Sequence, residues 1–408
     1  MEVYLFDWAN LLLRWLHVIT VIAWIGSSFY FVFLDNNLIK PTASDLKEKG
    51  VDGALWAVHG GGFYNPQKYM VAPKAIDSDL HWFYWEAYST FLSGFALFTV
   101  LYLFNADTFL VDKSLMNWTG LQAGLAAIGF LIGFWLIYNN VCRIFGFKER
   151  SELYIGLVMV CVVGIFCYIS CLLFAGRAAF LIVGASIATA MSANVFFWII
   201  PGQKTVVNVM TSGQPYNPND LAIHGKRGKQ RSVHNTYFTL PVLFAMLSNH
   251  YHFLYTNDHP AVVLFFMMVC GALIRQYFVQ RHAYLNQRAS NPWPFAVIGL
   301  IGILAVIYAL RPLSEGTSRL ASSGEQKTVS YSQVQHIFET RCYTCHGAAV
   351  QMKNIRLDSP ENVAKNAQNI YLQAVTLKQM PMNNATGITQ EERDLVAAWF
   401  NSGADTSH

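Results

Sequence analysis

The sequence predicts an all-α chain in two parts, an eight-helix transmembrane bundle followed by a small soluble helical domain. Three observations predict it. Of 408 residues, 54% are apolar and only 13% charged, where a soluble domain carries about a quarter charged. The charges are uneven: between Met1 and Pro312 most of them occupy short gaps between long apolar runs, while the C-terminal stretch has an ordinary soluble composition. Each run also reaches the roughly 20 residues a helix needs to cross a ~30 Å hydrocarbon core. There the backbone must satisfy its own hydrogen bonds, which selects helices.

The runs are 9–34, 82–104, 119–141, 153–174, 178–200, 236–256, 260–281 and 293–312, bounded by polar loops or by interfacial aromatics such as Trp8, Trp118 and Trp293. The expected division is a membrane domain over 1–312, a Ser-, Gly- and Thr-rich linker over 313–329, and a soluble domain over 330–408. The first run reads as a span rather than a cleaved signal, because Glu2 and Asp7 precede it without Lys or Arg and its apolar stretch is too long.

Loop charges set the direction. Odd-numbered loops carry Lys40, Lys47, Lys49, Lys68, Lys74, Arg143, Lys148, Arg150, Lys204, Lys226, Arg227, Lys229, Arg231, Arg281 and Arg288; the other side carries Lys113, Arg177, Arg311 and Arg319. Fifteen against four predicts a multi-pass protein whose odd-numbered loops face the cytoplasm and whose two termini face outward; with the motif at 342–346, the expected setting is a bacterial inner membrane with the soluble domain periplasmic. A net charge of +4 gives no case for a nucleic-acid partner, and the Lys226–Arg231 cluster reads as cytoplasmic loop charge. Cys142, Cys161, Cys167, Cys171 and Cys270 lie in or beside apolar runs and read as packing residues.

Cys342 and Cys345 differ. Cys342-Tyr-Thr-Cys345-His346 has the spacing of covalent c-type haem attachment: two thiols add to the haem vinyl groups, and the next imidazole becomes the proximal iron ligand. Loop charges independently place it in the compartment where such haem is attached. The flanks suit a class I cytochrome c. Ser332 with Gln335 is expected to cap a helix running to Arg341, and Thr389 with Glu392 a helix through Val396 and Trp399 that stops at Gly403. The sixth ligand is expected to be a thioether, which raises the potential; Met380 is preferred, Met382 comes second and Met352 a distant third.

Taken whole, the chain resembles the membrane-bound cytochrome c urate oxidases, or urate hydroxylases. The resemblance rests on Gly60-Gly61-Gly62-Phe63-Tyr64, Leu80-His81-Trp82-Phe83-Tyr84-Trp85-Glu86-Ala87-Tyr88, Ser232-Val233-His234-Asn235-Thr236-Tyr237-Phe238-Thr239-Leu240-Pro241 and Ser248-Asn249-His250. It implies oxidation of urate with water to 5-hydroxyisourate, without dioxygen or peroxide. Electrons would pass to the chain's own haem c and then to a soluble cytochrome c or terminal oxidase.

Ionisable residues inside spans are costly and mark function. Those expected toward the cytoplasm are His81, Glu86, Asn139, Asn140, Asn194, His234, Asn235, Arg275, Gln276 and His282; those toward the outside are Arg14, His17, Asn249, His250, His252 and His259. The Asn and Gln residues suit interhelical hydrogen bonds. A site for a flat anion needs a cation, paired polar edges, an apolar wall and a base. Arg275 with Gln276 is the expected clamp, and His81, Glu86 or His234 the expected base. Tunnelling decays exponentially with distance, so either the urate site lies near the outer face or a relay cofactor sits within the bundle. A b-type haem held by His17 with His250 or His252, with Arg14 near a propionate, is the relay considered. Two other classes remain open: a quinol-linked electron-transfer subunit, and a transporter or sensor carrying a haem.

Overall fold

A computed structural model describes residues 2–69, 79–113, 115–147, 150–212, 214–287, 289–311, 329–352, 355–376 and 378–407. The linker expected over 313–329, and Lys74, Lys148, Arg288 and Arg319, lie outside the described residues, save Val329.

The chain is mostly helical. Membrane-length helices are α1 (Glu2–Asn37), α5 (Gly120–Phe145), α6 (Ser151–Leu173) and α10 (Pro260–Leu285), together with two that contain π turns. One of these is α3 (Trp85–Phe98), continued by Thr99–Leu103; the other is α7 (Gly176–Asn194), continued by Val195–Ile199 into α8 (Ile200–Thr211). These six are long and apolar enough to cross a membrane. Of the other two expected spans, α11 (Trp293–Ala309) is apolar but shorter, and α9 (Pro218–Leu247) carries charge through its first half. Short elements complete the body: α2 (Ser44–Glu48) and α4 (Ala106–Phe109), with β1 (Gly53–Ala54) paired antiparallel to β4 (Gln67–Lys68) and β2 (Ala57–His59) to β3 (Gly62–Tyr64).

Two expectations about α9 are corrected. Lys226, Arg227, Lys229 and Arg231 are not loop residues but lie on this helix, and the guanidinium of Arg231 is buried. The helix begins well before residue 236 because Arg231 finds polar partners between helices, which offsets its desolvation. It also ends sooner, at Leu247, giving way to 3-10 turns at Ser248–His250 and His252–Leu254.

The core is built on α7, which packs against α5, α6, α9 and α3. Small residues allow this. A Cβ on Gly184 would come within 2.6 Å of the Ala245 Cβ on α9, so only glycine permits the backbones to approach this closely. Phe134, Phe166, Phe130 and Phe174 interlock edge to face along the α5–α6 seam. By contrast α1 rests on α3 and α11 on α10, each leaving long apolar faces exposed, as lipid contact requires.

The C-terminal domain has its own core around Val334, Phe338, Val363, Val396 and Trp399, formed by α12 (Tyr331–Arg341), α13 (Tyr343–His346), α14 (Pro360–Ile370) and α15 (Gln390–Asn401). The capping box of α12 is Ser330 with Gln333, not Ser332 with Gln335. Ser330 has the extended backbone an N-cap needs, and Ser332 is already inside the helix. The Thr389–Glu392 box forms as expected, and Gly403 follows α15 at φ +110°. The turn Met382–Asn384 approaches α4, with Cα atoms within 8 Å.

Candidate functional site

The densest polar arrangement lies where α5, α6, α7 and α9 converge. Asn194 Nδ2 donates to the Tyr138 hydroxyl at 3.0 Å. With its oxygen accepting there, the Tyr138 proton points to His234 Nδ1, 2.9 Å away. His234 then carries its own proton on Nε2, which faces Glu152 Oε2 at 2.9 Å. Tyr138 is fully buried and His234 nearly so, whereas the Glu152 side chain is 59% exposed. Donors therefore run in one direction, from the core to a carboxylate at the bundle's edge. Gln230 Nε2 steadies that carboxylate at 2.7 Å.

Arg231 closes the network. Its Nη1 donates to Asn194 Oδ1 at 3.3 Å and its Nη2 to Asn139 Oδ1 at 3.0 Å, and Trp198 Nε1 shares the latter acceptor at 2.9 Å. The guanidinium lies over the rings of Tyr138 and Trp198. Asn235 accepts from Asn194 at 2.9 Å and donates to the Met191 carbonyl at 3.0 Å.

One turn along α9 from His234, the Tyr237 hydroxyl donates to Gln276 Oε1 on α10. The adjacent Arg275 is buried, with its guanidinium 3.7 Å from the Phe29 ring centroid of α1. Its Nε has no hydrogen-bond partner among the described residues. A buried cation with an unsatisfied donor beside an aromatic face is a place where an anion lowers the energy.

The structure thus joins some predicted residues and separates others. His234 gains Glu152, and Gln276, beside Arg275 on α10, is bonded by Tyr237, which lies one turn along α9 from His234. His81 is exposed ahead of α3, edge-on to Phe83, in a shallow pocket lined by Asp79, Leu80, Trp82, Tyr84 and Trp85. Glu86 lies in the first turn of α3, where its carbonyl accepts from Thr90 at 2.6 Å. Neither His81 nor Glu86 is drawn into the His234 network by the described hydrogen bonds. Asn140 donates to its own helix, at Leu136. Sequence reasoning missed Tyr138 and Glu152 and set Arg231 aside as loop charge. The available signal was helical spacing: Arg231 precedes His234 by three residues, one turn on a shared face.

In the outer layer, His17 Nδ1 lies 3.1 Å from Ser93 Oγ, whose proton is directed to the Ser89 carbonyl at 2.6 Å. The imidazole fills space that a Cβ on Gly94 would occupy, 2.7 Å from its Cε1. Its partners are on α3. His250 is exposed in a 3-10 turn, and the side chain of His252 lies outside the described residues, so the His17–His250 pair expected for a b-type haem is not assembled by any described contact. Arg14 bonds Asn10 at 3.1 Å. Nearby, Tyr102 and Arg177 both donate to Asn249 Oδ1, at 3.0 and 3.2 Å.

The C-terminal residues fit a covalent haem. His346 Nδ1 is 3.2 Å from the Ile355 carbonyl; a carbonyl only accepts, so the proton sits on Nδ1 and Nε2 keeps its lone pair for a metal. Both cysteines precede it, Cys342 as the N-cap of α13 and Cys345 within the helix, and burial pushes the Cys342 thiol up to about 12. Met380 is held at both ends of its backbone, its N–H to the Gln373 carbonyl at 3.0 Å and its carbonyl from Arg393 at 2.9 Å. Arg393 is itself buried and also reaches the Ala374 carbonyl.

Among the described residues, bundle and network together define a helical protein with six helices long and apolar enough to cross a membrane and a buried hydrogen-bond chain. The family model described as urate oxidase N-terminal matches residues 3–310, and the chain belongs to that family. No curated protein and no solved structure matches it.

Proposed function

We propose that the protein oxidises urate with water to 5-hydroxyisourate, passing two electrons one at a time through a c-type haem on its C-terminal domain to a soluble cytochrome c or terminal oxidase. In this reading Cys342 and Cys345 bind the haem covalently, and His346 and Met380 are its axial ligands. The haem supplies a one-electron store of raised potential. The observation that carries the reading is a urate oxidase family body continued by a domain whose His346 is oriented as an iron-binding imidazole.

Arg275 and Gln276 hold the anion, with Phe29 as a wall for the flat ring, and because this site belongs to the cytoplasmic layer a redox relay within the bundle carries the electrons to the outer face. His234 serves as the proton acceptor, working through Tyr138: the phenol takes a proton while passing its own to Nδ1, and Nε2 releases one to Glu152 at the edge. Urate and water together release two protons per turnover, so an outlet is needed as well as a base. His81 and Glu86 take no part in this step. Tyr138 and Glu152 replace them in the proposed set. Eight helices cross the bacterial inner membrane, α9 and α11 included, with the C-terminal domain periplasmic.

Urate added anaerobically to oxidised membranes should produce ferrous c-haem absorption and 5-hydroxyisourate without peroxide. Arg275→Ala should raise the urate concentration required. Silence from the wild-type haem refutes the reading.

A further inference from the structure

The short helix α4 lies between membrane helices and has no part in the acid–base network, yet it is held with unusual care. Asp107 Oδ1 accepts the Gly120 N–H at 2.7 Å, tying α4 to the start of α5. Gly120 is required there, since a Cβ would come within 2.6 Å of Asp107 Oδ2. The Leu110 carbonyl accepts from Ala175 at 3.0 Å, joining the end of α4 to α7. Leu110 and Val111 are buried with Phe174 and Ala178. A four-residue helix fixed on both flanks is a rigid shelf.

The segment on this shelf is Met382–Asn384, two residues beyond Met380. The turn after the proposed axial ligand, rather than a remote face of the C-terminal domain, therefore meets the bundle. From the shelf a line of rings leads inward: Phe109 packs edge to face on Tyr102 at 5.8 Å, and Tyr102 stacks on Phe98 at 5.6 Å. Tyr102 is also fixed at its hydroxyl by Asn249, which Arg177 holds in turn.

We infer that α4 is the dock at which the C-terminal domain collects electrons from the bundle, with Phe109 and Tyr102 as the last protein groups they pass. The inference rests on the proposed function and adds the place of exchange. Urate loses two electrons as it gains the oxygen of water, and urate and water together release two protons. Each docking event carries one electron to ferric iron, and a soluble one-electron acceptor must reoxidise the domain before the second can leave. Contact through the axial-ligand turn removes the aqueous gap from the electron path. This matters because tunnelling falls exponentially with distance. It also assigns Met382 to the docking surface and leaves Met380 for the iron.

The test uses the full-length, haem-loaded protein in detergent. Thr108→Cys with Ala385→Cys, joined by a short bismaleimide, should cross-link in high yield, while either single variant should not. The locked protein should still reduce its haem with urate at the wild-type rate. Phe109→Ala should slow that reduction by roughly ten- to a hundredfold, as lost positioning does, with dithionite reduction and the haem spectrum unchanged. Absent cross-linking, abolished reduction in the locked protein, or full-speed reduction in Phe109→Ala would each overturn the dock. A wild-type haem that urate never reduces refutes the proposed function instead.

Discussion

The C-terminal domain and the helical bundle assemble their proposed sites by opposite means. In the former, Cys342, Cys345 and His346 fall within five consecutive residues, and one helical turn is enough to place them. In the bundle, Tyr138, Glu152, Asn194 and His234 come from four helices and meet only because α7 is small enough to be surrounded. A site written locally can be read as a string. One assembled by packing is known only once the neighbours are known.

The largest expected effect tests the local site. His346→Ala should leave a haem attached through Cys342 and Cys345 but without its proximal ligand, giving a high-spin spectrum and no electron transfer from urate. An unchanged low-spin spectrum would show that another residue takes this position. The C-terminal fold should survive, because the core around Phe338, Val396 and Trp399 excludes His346.

A smaller but still large effect tests the assembled site. His234→Ala should slow urate-driven haem reduction by about 10²–10⁴-fold, the range for loss of a positioned proton acceptor. The haem spectrum and dithionite reduction should be unaffected. Glu152→Gln should do less, since its exposed carboxylate accepts the proton only after His234 has moved it. If both variants keep wild-type rates, the Tyr138–His234–Glu152 chain is a structural hydrogen-bond network and no more.

The same contrast explains what was legible beforehand. Apolar run lengths located the helices, and the Thr389–Glu392 box was readable because a cap is a local code. Arg231 was not: a basic cluster in a sequence looks like a solvated loop, and nothing in its own segment announces Asn139 and Asn194 waiting on α5 and α7. Glu152 was overlooked because it opens a span, where acidic residues are ordinary helix-terminus chemistry. His81 is the reverse case. It sits in an aromatic string that suits a site, but the chain turns there before α3 begins and leaves the imidazole exposed. Arg275 and Gln276 stood out as candidates because an ionised group deep in an apolar run needs a reason to be there.

The smallest effect concerns acid sensitivity in the C-terminal domain. Partial burial alone would raise the carboxyl of Glu392, but hydrogen bonds from Arg341 and from the Thr389 backbone, with the Arg341 and His336 charges, outweigh it and hold the group below the ordinary carboxylate range. Arg341 grips it through Nε at 3.1 Å and Nη2 at 3.0 Å and also reaches the Thr386 carbonyl. A group whose folded pKa is depressed adds stability above its unfolded value, about 4.3 for glutamate, and loses it as the pH falls through the folded value. Glu392→Gln keeps a side-chain oxygen for the Thr389 N–H, since glutamine serves in a capping box, and so removes mainly the charge. Thermal unfolding followed by haem absorbance should show the variant about 1 kcal/mol less stable at neutral pH, as for a partly exposed pair. The difference from wild type should close below about pH 4. Asp358, held down by Arg356, adds an acid slope common to both proteins, so the diagnostic quantity is their difference. A gap that persists into acid would assign the role of Glu392 to shape rather than charge.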